Sequence, residues 1–178
     1  MTSIHDRLTT ISMDDFALNW RFNDPKYDVL PTDHLAHIHP LDDQSASAIW
    51  QFIMDSDLHR DFPFKNDFFR TVESVSLDDS HDGKSAENSR IRKWLYRCAI
   101  PFQQTIFLSW QPTCAVVTNS KMLVEYWTSF YYPISDDLTV VDESLDWSVL
   151  FFHEHEIHYG TNLPRNIGGP SVSQPQQL

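Results

Sequence analysis

The chain has 178 residues, of which 41% are hydrophobic, and its formal net charge at pH 7 is −12. A chain of this length can bury one hydrophobic core, so we expect a single domain that folds without disulfide bonds. The excess of carboxylates argues against nucleic-acid binding, because the Lys and Arg side chains that neutralise phosphates supply most of that affinity. A protein partner with a basic surface would be attracted instead.

The cysteines, the N-terminus and the apolar runs together indicate a cytoplasmic protein. Cys98 and Cys114 lie in apolar surroundings, which favours reduced, buried thiols with no chemical role. The N-terminus lacks the basic and then apolar layout of a secretion signal. No apolar run approaches the roughly 20 residues that a membrane-spanning helix needs. The sequence therefore predicts that the protein does not enter a membrane.

The first half of the chain predicts two helices and a strand between them. Ser12 can cap a short helix that carries Phe16 and Trp20 four residues apart. Residues 34–39, "HLAHIH", are typical of a brief strand closed by a proline. Asp42 can then cap the most regular helix of the chain. Its apolar stripe repeats at helical spacing and comprises Ala46, Ile49, Trp50 and Ile53.

The second half predicts most of the strands and two more helices. The spacing of apolar residues indicates a helix over about 87–98 and another that Asn119 or Ser120 caps. Strand-like runs lie at 68–77, 105–111, 114–118, 138–142 and 146–161. This mixed order predicts a single α+β domain over residues 1–162, with a mainly antiparallel sheet packed with about three helices. Residues 163–178 are rich in proline, glycine, serine and glutamine, which predicts a disordered tail.

Several of these segments resemble a known family. The likeness is carried by "NWRF", "LPTDHLAHIHPLDDQSASAIW", "CAVVTNSKMLVEYWTSFYYPISDDLTVV" and "DWSVLFFHEHEIHYG". They are similar to small bacterial proteins grouped as a domain of unknown function, DUF2947. The likeness covers about residues 19–50 and 106–160 and depends on the spacing of aromatic residues. It implies one compact domain, and it brings no activity, substrate or site residue with it.

The run "HEHEIH" near the end of the chain holds three histidines and two glutamates in six residues. Strand-like flanks on both sides predict a hairpin with a two-residue turn at Glu154 and His155. This register pairs His153 with Glu156 and brings both side chains, together with His158, to the face opposite the core. The same register predicts a core face formed by Leu150, Phe152, Ile157 and Tyr159.

Two histidines and a carboxylate on one strand face are typical zinc ligands that leave a fourth position for water. His153, Glu156 and His158 are therefore candidate metal ligands, and the alternative is a solvated hairpin. His37 and His39 form a second candidate pair, because alternate residues of a strand share a face. A stronger site would combine both groups if their strands meet. We expect no cofactor unless such a cluster binds zinc or another divalent metal.

Charge is segregated along the chain. Arg90, Lys93 and Arg97 line one face of a predicted helix, whereas residues 119–160 carry eight acids against a single lysine. This pattern indicates either solvated faces that pair with each other or two opposite docking surfaces. The acidic stretch 133–144 lies next to aromatic residues, which favours an interaction loop. The candidate partner-binding residues are Tyr131, Tyr132, Asp136, Asp137 and Asp142.

These patterns favour a protein-binding module without enzymatic activity, of an inhibitory or immunity-like kind, that docks a basic partner. Neither a Ser-His-Asp nor a Cys-His arrangement has a recognisable order, and the four glycines are too few for a glycine-rich phosphate-binding loop. The alternative is a metal-dependent hydrolase that uses the histidine and glutamate clusters.

Overall fold

The computed structural model describes residues 4–77, 84–98, 100 and 102–164. In these ranges seven strands form one antiparallel sheet, accompanied by five α-helices, of which three are longer than two turns. The predicted α+β class is therefore confirmed. The domain boundary at residue 162 stays a prediction, and from residue 165 onward the predicted tail lies outside the described residues. No helix within the described ranges is long and apolar enough to cross a membrane.

The elements have the following bounds and order. The helices are α1 (Trp20–Asn23), α2 (Thr32–Leu35), α3 (Asp43–Asp55), α4 (Lys84–Arg97) and α5 (Ser120–Phe130). The strands are β1 (His39–Pro40), β2 (Thr71–Ser76), β3 (Thr105–Gln111), β4 (Cys114–Asn119), β5 (Leu138–Val141), β6 (Trp147–Phe152) and β7 (Glu156–Thr161). Across the sheet the order is β1-β4-β3-β5-β6-β7-β2.

Side-chain caps begin two of the three long helices: Asp42 as predicted, and Asn119 as one of the two predicted alternatives. Asp42 and Asn119 each accept a hydrogen bond from the backbone amide three residues further on, at 2.7 and 3.0 Å. These oxygens satisfy N–H groups that have no partner within the helix. Ser12 also accepts an amide hydrogen bond, but it begins only a short 3-10 turn. The helix predicted there is thus divided, and α1 begins at Trp20.

The predicted strand "HLAHIH" is mostly wrong. The carbonyl of Pro31 accepts hydrogen bonds from the amides of His34 and Leu35, at 3.0 and 2.9 Å, and these bonds begin helix α2. Leu35 and Ile38 are three residues apart, and both pack against the core from this helical turn. Only His39 and the proline after it remain in a strand.

Both faces of the sheet are covered, so the single core expected from the chain length is divided by the sheet, and the described residues form two hydrophobic cores. Helices α4 and α5 pack on one face to form the first core, while α3 and the loop 56–70 pack on the other to form the second. Strand residues alternate between them: in β3, Ile106 and Leu108 join the first core and Phe107 joins the second. The central strands are consequently buried along most of their length.

Gly160 in β7 lies directly under the ring of Phe69. A Cβ atom at this glycine would lie 2.1 Å from Cδ2 of Phe69, far inside van der Waals contact. The Phe69 ring is itself packed against Phe64 and Phe68, with ring centroids 5.1 and 4.8 Å apart. The ring therefore has little room to move away from the strand.

We expect Gly160→Ala to lower the free energy of unfolding by about 1–3 kcal/mol, because the methyl group overpacks the second core. Urea denaturation followed by tryptophan fluorescence measures this loss. The double variant Gly160→Ala, Phe69→Leu should lose less stability than the sum of the losses in the two single variants. The smaller leucine side chain leaves room for the methyl group of Ala at position 160. Additive losses would show that the ring does not restrict this position.

Candidate functional site

The closing hairpin differs by one residue from its predicted register. The prediction pairs His153 with Glu156, whereas the structure pairs Phe152 with Glu156. Residues 153–155 form a three-residue loop in which His155 has a φ of 62°. A three-residue hairpin loop commonly ends on a residue in the left-handed region, and histidine tolerates this conformation better than most residues.

The shifted register exchanges the two faces of β6. Val149 and Phe151 face the first core, and Leu150 and Phe152 face the second. The prediction assigned Leu150 and Phe152 to the same face as Ile157, which was wrong. A slip of one residue reverses the side-chain direction of a whole strand, because side chains alternate with a period of two.

The hairpin also separates the predicted metal ligands. His153 lies in the loop, where its Nδ1 and its amide contact Oδ1 of Asp137 at 2.8 and 3.1 Å. His158 faces the second core, is 6% exposed, and has Nε2 3.1 Å from a Glu156 carboxylate oxygen. Burial lowers the pKa of His158, and the nearby Glu156 carboxylate partly opposes this shift.

The described part of the chain holds no group of three or more His, Cys, Asp or Glu side chains arranged to bind a metal ion. His37 and His39 are exposed beside the edge strand β1, whereas His158 lies in β7, five strand spacings away. At about 4.8 Å per spacing, the two histidine groups are about 24 Å apart. The joint site of the two groups is therefore not formed.

A further histidine ties a loop to the sheet beside the hairpin. His59 donates from Nδ1 to the Pro63 carbonyl at 2.8 Å, so in the neutral ring Nε2 accepts from the Thr139 hydroxyl, also at 2.8 Å. Burial lowers the pKa of His59, and the Pro63 carbonyl and the charge of Asp137 partly oppose this shift. The neutral imidazole thus connects the loop 56–70 to β5.

Two large apolar side chains project into solvent at this end of the molecule. Phe62 is 60% exposed and packs on Phe152 and His158, with ring centroids 4.6 and 5.1 Å apart. Ile134 is 78% exposed, has a φ of 80°, and donates its amide to the His153 carbonyl at 3.0 Å. The left-handed conformation costs such a residue about 1–2 kcal/mol. We name as the hairpin surface the residues Phe62, Ile134, Asp137, Glu154 and Glu156.

Asp136, a predicted partner-binding residue, forms a buried ion pair with Arg21. The side chains are 7% and 5% exposed, and the guanidinium group donates to both carboxylate oxygens at 2.5 and 3.0 Å. The Tyr132 amide and the Ser135 hydroxyl donate to the same carboxylate at 2.9 and 3.0 Å. The guanidinium group also lies over the Tyr132 ring, 4.5 Å from its centroid. Asp136 therefore organises its own loop.

Asp142 and Tyr131 are interior residues as well. Asp142 is 2% exposed and accepts hydrogen bonds from the Trp147 indole, at 2.7 Å, and from the Gln104 side chain. Tyr131 is 2% exposed, and its hydroxyl donates to the Phe152 carbonyl at 2.5 Å. These bonds fix the turn after β5 and the end of α5.

The structure thus corrects the expected exposure of the acidic segment 133–144. Asp137, at 54% exposed, and the half-buried Tyr132 are the predicted partner-binding residues that reach the surface. The ring of Tyr132 packs beside Trp20 and Tyr27, with centroids 5.3 and 6.2 Å apart. Within the segment, local sequence does not distinguish a carboxylate that meets a distant arginine from one that meets water.

Of the two cysteines, which were expected to be buried, Cys114 is buried and Cys98 is half-buried. Cys98 and Cys114 form no disulfide. Burial raises the pKa of Cys98 to about 12 and that of Cys114 to about 11. Neither is a thiolate nucleophile near neutral pH.

Sequence patterns missed Arg21, His59, Phe62 and Ile134. The sequence around Arg21 offered one indication of its role. A cation that lies between two aromatic residues in an acidic chain favours burial with a carboxylate partner. His59 and Phe62 lie in the loop 56–70, which has no hydrophobic periodicity to interpret. The positive φ of Ile134 could not be predicted from its residue type, because β-branched residues normally avoid positive φ angles.

The fold is that of an α+β protein, and the described residues around its closing hairpin form an acidic and apolar surface. The chain belongs to the family described as "Protein of unknown function (DUF2947)", whose sequence model matches residues 10–160. This match confirms the resemblance of the aromatic motifs. Comparison with curated proteins and with solved structures gave no match.

Replacing Asp136 with Asn should lower the free energy of unfolding by about 3–5 kcal/mol, because it leaves the buried Arg21 charge without a counterion. Its neighbour offers a matched control: Asp137→Asn at an exposed position should change stability by no more than about 1 kcal/mol. Chemical denaturation of both variants provides the measurement. Similar losses in the two variants would mean that the Arg21 pair does not support the fold.

The depressed pKa of His59 predicts a loss of stability in mild acid. As the pH decreases through the ordinary histidine pKa of 6.5, the imidazole of the unfolded chain takes up a proton before that of the folded chain does. The free energy of unfolding therefore decreases as the pH is lowered, until the pKa of the folded state is reached. His59→Gln should flatten this slope. His39→Gln, which removes an exposed imidazole, is the control. An unchanged slope in His59→Gln would contradict the assignment.

Proposed function

We propose that this protein is a docking module that binds a basic protein partner through the hairpin surface and performs no reaction of its own. The observation that supports this most directly is Ile134. A β-branched, apolar side chain is held in solvent in a left-handed conformation that costs about 1–2 kcal/mol. Backbone strain of this kind is concentrated at functional sites, where the surrounding structure maintains it.

The surroundings of Ile134 suit a basic partner. The carboxylates of Asp137 and Glu156 are 54% and 41% exposed, and Glu154 is exposed in the hairpin loop. Phe62 adds a second exposed apolar side chain. Apolar anchors inside a polar rim are the usual arrangement of a protein interface, and acidic rims steer basic partners and raise association rates.

An inhibitory or immunity-like role fits a small acidic domain that meets a basic partner, by analogy alone. We further propose a cytoplasmic protein, since both cysteines are free thiols with raised pKa values. Of the acidic residues that the sequence suggested for partner binding, the proposed docking surface retains Asp137. Glu154 and Glu156 take the place of Asp136 and Asp142, which are buried.

Ile134→Asn should raise the free energy of unfolding by about 1 kcal/mol, because asparagine adopts the left-handed conformation readily. The same change removes the apolar anchor and should weaken partner binding about tenfold or more. Thermal denaturation of the purified variant gives the first value. For the second, a pull-down with the wild-type chain identifies the partner, and the Kd of the purified partner is then measured for the wild type and the variant. A stabilised variant that binds as tightly as the wild type would refute a docking role for Ile134.

The acidic rim is tested by reversing two exposed charges, Asp137→Lys with Glu154→Lys. We expect the association rate to fall and its salt dependence to shrink while folding persists. The matched control, Asp15→Lys with Asp33→Lys, makes the same change of net charge at exposed positions elsewhere. Equal loss of binding in both variants would show that only the net charge matters, and the hairpin surface would be wrong.

A further inference from the structure

Helix α4 exposes a basic and aromatic face that the hairpin surface does not use. Lys93, Tyr96 and Arg97 are three and four residues apart, so their side chains lie together on one side of the helix. All three are exposed, and Tyr96 is 64% exposed. The opposite side of the helix carries the buried Trp94 and Leu95 of the first core.

Residues after the helix extend this face. The ring of Phe102, 39% exposed, has its centroid 5.5 Å from that of Tyr96. The carbonyl of Phe102 accepts a hydrogen bond from the amide of Lys121 at 3.1 Å, which brings an exposed lysine at the start of α5 beside the aromatic pair. We name as the basic face the residues Lys93, Tyr96, Arg97, Phe102 and Lys121.

Within the described ranges, the cations of the basic face form no ion pair with a carboxylate, unlike the neighbouring arginines. Arg92 pairs with Glu125 at 3.3 Å, and Arg90 pairs with Glu87 at 2.6 Å. Among the described residues, no carboxylate lies within 4.0 Å of the three cations of the basic face. Within the part of the chain that the structure describes, no ion pair neutralises these three cations, in a chain with 25 acidic and 13 basic residues.

The basic face and the hairpin surface lie at opposite ends of the strands. Phe102 precedes β3, whose first residue, Thr105, pairs with Asn119 just before α5. Strand β3 is antiparallel to β5, and β5 begins directly after Asp137 of the hairpin surface. The start of β3 is therefore remote from the start of β5, so the basic face and the hairpin surface are well separated.

We propose that the basic face docks an acidic segment of another protein, one that presents carboxylates and an aromatic side chain. The cations would pair with the carboxylates, while Tyr96 and Phe102 offer exposed rings for aromatic packing. A nucleic acid fits less well, because three cations in a chain of net charge −12 supply little of the required counterion release. The proposal does not depend on the function of the hairpin surface.

Short synthetic peptides test this proposal on the full chain by fluorescence anisotropy at low salt. The probe is a Glu- and Ser-rich peptide with one central Trp, compared with the same peptide with Ser in place of Trp and with a Lys-rich counterpart. We expect the first peptide to bind most tightly. Lys93→Glu with Arg97→Glu should raise its Kd about tenfold or more.

Two further variants separate a docking site from general charge attraction. Tyr96→Ser changes no charge and should still raise the Kd of the Trp peptide about fivefold, while leaving the Kd of the Ser peptide nearly unchanged. Lys26→Glu with Arg70→Glu makes the same change of net charge at exposed positions elsewhere and should leave both Kd values within about twofold.

Several results would overturn the proposal. They are failure of the acidic Trp peptide to bind, equal loss of binding in the Lys26, Arg70 control, and an unchanged Kd in Tyr96→Ser. Sedimentation velocity of the protein alone tests whether a second copy of the chain binds to the basic face instead of an acidic peptide. Self-association that the Lys93, Arg97 variant abolishes would assign the basic face to a second copy of this chain instead.

Discussion

The ion pair between Arg21 and Asp136 is the interaction on which the turn after α5 and the hairpin end of the molecule depend. It joins residues that are 115 positions apart in the chain and excludes both charges from water. Such a pair is tolerated only when further hydrogen bonds satisfy both groups. Here the carboxylate also accepts from Tyr132 and Ser135, so the turn after α5 is fixed around it.

The consequences extend from this turn to the exposed residues. With Asp136 facing inward, Ile134 projects into solvent and its amide reaches the hairpin loop. The next residue, Asp137, faces outward and holds His153 of that loop through the imidazole and the amide. Two adjacent acids thus have opposite roles: the first connects α1 to the turn, and the second connects the turn to the closing hairpin.

Charge and exposed apolar side chains are distributed over two separate surfaces. The hairpin surface combines carboxylates with Phe62 and Ile134, and the basic face combines cations with Tyr96 and Phe102. The sheet between them is covered on both faces, and close packing on both sides makes it rigid.

The sequence alone determined the elements whose signals are local. The caps Asp42 and Asn119, the apolar stripes of three helices and the alternating strands predicted an α+β protein with an antiparallel sheet, because each depends on residues within a few positions. The hairpin at the end of the chain was also predictable. The register of this hairpin was not predictable. His155 adopts a left-handed conformation that lengthens the loop by one residue, and no glycine in the sequence indicates this conformation.

Only the tertiary structure decided which polar residues are available for function. The acids of the segment 133–144 look alike in sequence, yet Asp136 and Asp142 are buried by Arg21 and Trp147, while Asp137 remains exposed. Likewise, the order of strands sets His39 and His158 far apart although both belong to histidine-rich runs. The physical reason is the same in each case: the environment of a charge depends on partners that are distant in the chain and adjacent in space.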